Sequence, residues 1–174
     1  MDYGAAAERL MAMDDAAWRR HANPWSVWTR LAATPLLFVA LWSPFWIGWA
    51  GALPIAAAAL WTWINPRLFP PPGRFDRWAS KGVLGERVWL NRKAVPIPAG
   101  YARAANVTTA ISALFMVGVA FAFFTRNFAA GFLAWHAAVL AKLWFVDRMA
   151  RLWEIMKDAD PRYAAWAVPV ADAR

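Results

Sequence analysis

Apolar positions in this chain form two long unbroken fields rather than the short periodic stripes of a water-soluble helix. Residues 31–66 contain no Asp, Glu, Lys or Arg, and neither do residues 104–125. As one α-helix the first field would run about 54 Å at ~1.5 Å per residue, nearly twice a ~30 Å hydrocarbon core. It must fold back, and Ser43-Pro44, Gly48, Gly51 and Pro54 supply the break. Pro removes a backbone donor there and Gly relaxes the backbone. The pattern predicts span 1 over Pro24–Trp42 and span 2 over Trp46–Ile64. Asn23 serves span 1 as N-cap, Pro24 as its first helical residue, and Pro35 as a kink. Span 3 follows over Ala104–Phe124, then a tight turn Thr125-Arg126-Asn127, then span 4 over Phe128–Val146.

The polar positions set the orientation. Residues 67–103 carry Arg67, Arg74, Arg77, Lys81, Arg87, Arg92, Lys93 and Arg103 against Asp76 and Glu86, a surplus of six out of the chain's net +8. A basic loop between uncharged spans marks the cytoplasmic side, and Arg126 is the only charge expected opposite it. Both termini then lie in the cytoplasm of a multi-pass membrane protein. Tryptophans sit where interfacial belts form: Trp25, Trp28, Trp61, Trp63 and Trp144 on one side, Trp42, Trp46 and Trp49 on the other. The expected fold is all-α and transmembrane, a four-helix bundle of two helical hairpins with a cytoplasmic cap. Within one membrane domain, residues 1–23 form an N-terminal helical segment, 24–64 the first hairpin, 65–103 the basic loop, 104–146 the second hairpin and 147–174 a helix extension and tail. Small residues on spans 3 and 4, among them Ala122, Gly118, Gly131 and Ala138, predict that the second hairpin packs most tightly.

Composition removes several chemistries. Without cysteine there are no disulfides, thiolate nucleophiles or Fe–S clusters, and with two histidines a His-rich metal site within one chain is not expected. A pI near 10.8 is accounted for by topology and by contact with anionic lipid headgroups, so no nucleic-acid partner is invoked. Residues 1–22 hold Asp2, Glu8, Asp14 and Asp15 and no apolar core, unlike a signal peptide. Asp14-Asp15 reads as the cap of a short helix over Ala16–His21. Phosphate loops, His-Glu-x-x-His and Gly-x-Ser-x-Gly are missing, the spans lack carboxylates for a di-metal centre, and the sequence leaves any cofactor unknown.

What remains is a small set of polar residues at or near membrane depth. His136 stands mid-span, and an ionisable group there is a functional candidate by default. The alternative is a neutral imidazole bonded to Thr108, Thr109 or Ser112. Lys142 is close enough to the interface to snorkel. Span 4 meets no breaker before Pro161, so its helix continues into the cytoplasm with Asp147, Arg151, Glu154 and Asp158 on one face. That stripe is expected against the basic loop, at Arg67, Arg87 or Arg92. The loop interleaves aromatics with charge and is stiffened by Pro70-Pro71-Pro72, as in a segment lying among headgroups.

Three strings, His21-Ala22-Asn23-Pro24-Trp25-Ser26-Val27-Trp28-Thr29-Arg30, Asn65-Pro66-Arg67-Leu68-Phe69-Pro70 and Gly85-Glu86-Arg87-Val88-Trp89-Leu90-Asn91-Arg92, carry a resemblance. In them the chain resembles a family of small prokaryotic integral membrane proteins of unknown function, which implies an inner-membrane location and brings no activity. Its tryptophan content and proline run are similar in composition to the tryptophan-rich sensory proteins, from which it differs in span number and in the position of the proline run.

The function expected from these residues is binding or movement of a small amphipathic molecule or lipid at the cytoplasmic face. Its ligand-binding candidates are Asn23, Arg30, Asn65, Arg67, Arg87, Asp147, Arg148 and Glu154, together with His21. One alternative is a membrane enzyme acting at headgroup level with His21 or His136 as acid/base and the arginines holding an anion. Another is a homo-oligomer or an auxiliary subunit of a membrane complex.

Overall fold

The computed structural model describes residues 13–168, in which every regular element is helical. Sequence features at residues 1–12 and 169–174, including Asp2, Glu8 and the end of the tail, lie outside the described residues. Helix α1 spans Asp15–His21, and its N-cap Asp14 accepts a hydrogen bond from Ala17 N at 2.7 Å. Helix α2 spans Pro24–Trp42, capped by Asn23, whose Oδ1 accepts from Trp25 N at 2.9 Å. Both starts follow from a short polar side chain satisfying an orphan N–H of the first turn.

The expected break comes where Pro and Gly cluster. A short helix α3, Pro44–Ile47, and a 3₁₀ turn, Gly48–Gly51, precede α4, Ala52–Leu68. Gly48 has φ +59°, and a side chain at Gly51 would meet the Pro44 backbone nitrogen at 2.6 Å. Ser43 Oγ donates to the Gly51 carbonyl at the break, while Asn65 near the other end of α4 reaches Ser26 and Thr29 near the start of α2. The two helices are therefore antiparallel. The second helix begins at Ala52 rather than Trp46, because the glycine-proline cluster needs a full extra turn to reverse the chain.

Helix α5, Trp78–Leu90, is followed by α6, Ala99–Phe124, α7, Phe128–Met156, and a short α8, Pro161–Trp166. Asn127 caps α7 through Ala130 N at 3.0 Å, and Arg126 takes the left-handed turn conformation at φ +53°. Helix α7 continues past Val146 to Met156, and α6 starts five residues before Ala104. Three stretches are long and apolar enough to cross a membrane: Pro24–Leu68, Ala99–Phe124 and Phe128–Met156. In the most apolar window of each, only 28%, 17% and 22% of residues are buried within the protein. Leu114, Val117, Phe121, Leu133 and Leu140 all point outward. In water such faces would be aggregation patches; in a bilayer they are the lipid surface.

Two cores hold the helices. Near the turns, Phe38, Trp42 and Ala122 are buried against Phe45, Phe123 and Trp135, with the Phe45 and Phe123 rings 4.6 Å apart. Gly131 lies under the Trp42 ring, where a Cβ would come within 2.8 Å of Cζ3. The α6–α7 pair makes the most extensive contact between helices. Near the termini a larger core gathers Trp18, Phe75, Val83, Val88, Met149, Leu152, Trp153 and Tyr163.

That second core gives the basic loop its structure. Its middle is helix α5, buried on Ala79, Ser80, Gly82, Val83 and Val88 and packed on α7. Gly85 makes this possible, since any side chain there would collide with the Met149 carbonyl. The acidic stripe of α7 also finds other partners than expected. Glu154 pairs with Lys81 at 2.6 Å and Lys157 at 3.1 Å, and Asp147 accepts from the Trp78 indole at 3.4 Å and from Arg148 and Arg151. A helical loop presents residues three or four apart to α7, and those are Trp78 and Lys81 rather than Arg67, Arg87 or Arg92.

Candidate functional site

Where α1, α2 and α4 meet, a chain of polar side chains runs from the partly buried His21 through the buried Ser26 and Asn65 to the partly exposed Thr29. His21 Nδ1 is 3.0 Å from Ser26 Oγ, Ser26 Oγ donates to Asn65 Oδ1 at 3.0 Å, and Asn65 Nδ2 donates to Thr29 Oγ1 at 3.0 Å. Thr29 in turn donates to the Trp25 carbonyl at 2.6 Å. Ser26 and Asn65 are fully buried, so each of their bonds replaces water that cannot reach them. The direction of the chain settles the histidine. Thr29 spends its single proton on Trp25, so it accepts from Asn65, and Ser26 spends its own on Asn65. Nδ1 of His21 must therefore carry the proton, leaving Nε2 as a free acceptor.

Beside this network lies a cavity of about 430 Å³ between α1, α2, α4, α5 and α7. Val27, Leu31, Leu37, Val83, Leu90, Val139, Leu143 and Val146 give it apolar walls, and His21, Arg30, Glu86 and Lys142 give it charge. Lys142 Nζ donates to Glu86 Oε1 at 2.8 Å, joining α7 to α5 across the wall. Arg30 makes no hydrogen bond and no ion pair among the described residues; its nearest electrostatic neighbours are Glu86 and His21. Burial, reinforced by Arg30 and Lys142, pushes the His21 imidazole down to about 3, so it is neutral at ordinary pH. Burial alone would raise the Glu86 carboxyl, but the bond and charge of Lys142 outweigh it and hold the group below the usual carboxylate range. The indole N–H groups of Trp61 and Trp89, two further wall residues, are buried without an acceptor among the described residues.

Of the residues singled out in the sequence, the fold brings His21 and Arg30 to this cavity and sets Asn65 directly behind it. Asn23 lies nearby, donating to the Pro70 carbonyl at 2.9 Å while capping α2. Arg67 bonds the Trp63 carbonyl at 2.6 Å and stacks on that ring, outside the wall. Arg87 turns away to Asp15 and the Trp166 ring. Asp147, Arg148 and Glu154 face Trp78 and Lys81 and do not line the cavity. His136 bonds the Phe132 carbonyl of its own helix at 2.8 Å and packs on the Phe132 ring, instead of reaching Thr108, Thr109 or Ser112. Ser112 bonds the Ala138 carbonyl and Thr108 the carbonyls of its own helix.

Glu86 and Lys142 were not among the sequence candidates. Lys142 reads locally as a snorkelling lysine and Glu86 as one charge in a basic loop. A signal was present: Gly82 and Gly85, three residues apart and just before Glu86, form a small-residue face that lets α5 approach α7 closely.

A family model described as "Family of unknown function (DUF6653)" matches residues 5–171. The match covers nearly the whole chain, and the chain belongs to this family. None of the curated proteins and none of the solved structures matches it.

Proposed function

We propose that this protein is a non-enzymatic membrane module that binds, or passes along, a small amphipathic molecule in the cavity beside His21 and Arg30. One observation carries the reading: a cavity of about 430 Å³ whose walls are mostly apolar but which holds a cluster of ionised groups. Binding pockets combine an apolar lining with a few fixed polar groups, and the volume is in their ordinary range of roughly 300–1,000 Å³. In this reading Pro24–Leu68 crosses the bilayer twice, giving a four-span bundle of two hairpins. Helices α1, α5 and α8 cap it on the cytoplasmic side, and the basic residues outside the cavity meet anionic headgroups. The excess of Lys and Arg in residues 67–103 supports that orientation.

The enzymatic alternative weakens on magnitude. His21 has the right tautomer for a general base, but with its pKa near 3 it is far from the operating pH at which proton transfer is efficient.

Native mass spectrometry of the gently solubilised protein tests the proposal. A ligand mass should accompany the wild type and disappear in Val139→Phe or Leu143→Trp, which fill the cavity from α7. Equal ligand occupancy in the filled variants would remove the cavity from the function, and a stoichiometric protein partner in place of a small mass would favour the subunit reading.

A further inference from the structure

The charges of the cavity wall do not balance, and the imbalance points to a head group. Three ionised side chains line the space, Arg30, Lys142 and Glu86. Lys142 and Glu86 satisfy each other at 2.8 Å. That leaves Arg30 with a full positive charge, five N–H donors and no acceptor within hydrogen-bond reach among the described residues. It stands six residues into α2, roughly 9 Å along the axis from Pro24 at ~1.5 Å per residue, with Val27, Leu31 and Thr34 of the same helix facing the same space. An unmatched guanidinium at the mouth of a membrane-crossing helix is costly unless something compensates it.

The neutral groups lean the same way. Among the described residues the buried N–H groups of Trp61 and Trp89 have no acceptor, so the wall has donors to spare. Against them stand Nε2 of His21, the second oxygen of Glu86 and the hydroxyl oxygens of Thr34 and Thr62, whose own protons go to carbonyls of their helices. Guanidinium forks match carboxylates and phosphates bidentately, two parallel N–H···O bonds to one planar or tetrahedral oxyanion.

We propose that the cavity takes a single-chain amphiphile with an oxyanion head, a carboxylate or a phosphate, gripped by Arg30, with its chain against Leu31, Val83, Val139 and Leu143. This rests on the cavity being a binding site and specifies what it binds. At about 30 Å³ per non-hydrogen atom, the density of liquid water, the space accommodates roughly 14 such atoms, a medium-length chain with its head. Both chains of a diacyl lipid would not fit.

The full-length protein in phosphatidylcholine nanodiscs is titrated calorimetrically with decyl phosphate, decanoate, decanol and inorganic phosphate. The two anionic chains should bind about tenfold or more tighter than decanol, the difference expected of one charge-assisted pair. Whichever head is preferred tells a phosphate source from a fatty-acid source. Arg30→Gln should erase that preference without lowering the melting temperature, and Arg30→Lys, which keeps the charge but loses the fork, should retain part of it. Equal affinity for decanol and decyl phosphate, or an unchanged preference in Arg30→Gln, overturns the oxyanion assignment and leaves the cavity reading standing. Failure of all three chains to bind overturns both. Inorganic phosphate binding as tightly as decyl phosphate would overturn the amphiphile.

Discussion

Helix α7 passes through two regions built on opposite principles. Near the turns its Phe128, Phe132 and Trp135 surround Phe38, with ring centroids 5.3, 5.6 and 6.0 Å away, and Trp42 completes the cluster at 5.3 Å. Rings pack that space, and the guanidinium of Arg126 stacks at its edge, 5.5 Å from the Phe45 ring. Two to three turns further on, the same helix lines a cavity through Val139, Lys142, Leu143 and Val146. Beyond it, α7 presses its Met149 backbone against Gly85 of α5. One stretch maximises contact; the next preserves a void and places charge around it. The difference is informative because rings could have filled both. A region that stays open with an unmatched arginine is organised around something other than packing.

Substitutions should separate the two regions by size of effect. Phe38→Ala empties the centre of the ring cluster and should cost about 3–5 kcal/mol, read as the loss of folded protein in a denaturing-detergent titration. A variant as stable as wild type would mean that the cluster is not a core. Gly85→Ala forces a methyl into the Met149 carbonyl and should cost about 2–3 kcal/mol, with α5 loosened from α7 in hydrogen exchange. Unchanged protection of α5 would refute that contact.

Closer to the cavity the effects shrink. Ser26→Ala strands His21 Nδ1–H and Asn65 Oδ1 in a buried site, at about 1–3 kcal/mol in a thermal melt. The pH response has a defined sign. His21 is neutral in the folded protein down to about pH 3, while in the unfolded chain it takes up a proton near 6.5. The unfolded state thus binds more protons between those values, so stability falls as pH drops from about 6.5 toward 3, with a slope of at most ~1.4 kcal/mol per pH unit from this residue. Glu86, held below its usual range, adds to the loss lower in that window. Subtracting the profile of His21→Gln isolates the imidazole, and identical slopes would contradict its burial. Smallest of all, Arg30→Gln should change stability by no more than about 0.5 kcal/mol, since no hydrogen bond is lost. Within the cavity, stability and ligand affinity come apart; in the ring cluster they cannot.

Much of the scaffold was legible because its causes are local. Asn23-Pro24 starts α2 and Asn127 starts α7 through side chains that cap the backbone a few residues on. The Ser43–Gly51 cluster reverses the chain where Pro and Gly sit. Residues whose partners lie far along the chain were harder to read. Mid-span placement drew attention to His136, yet it bonds the Phe132 carbonyl one turn back in its own helix and packs on the Phe132 ring. Asp147 and Glu154 look like a site on a helical wheel and turn out to dock α5 through Trp78 and Lys81.

By itself the sequence determined that the chain is helical, that it carries long apolar stretches suited to a bilayer, where α2 and α7 begin and where the first stretch reverses. Those properties follow from hydropathy, capping and backbone restriction, which act over a few residues. Only the tertiary structure decided which charges are matched. Glu86 and Lys142 are 56 residues apart and neutralise each other, whereas Arg30, among residues that cap and brace the helices, faces a mostly apolar cavity without a hydrogen bond or ion pair among the described residues. Charge balance inside a protein is a property of distances between elements, and no local pattern records it.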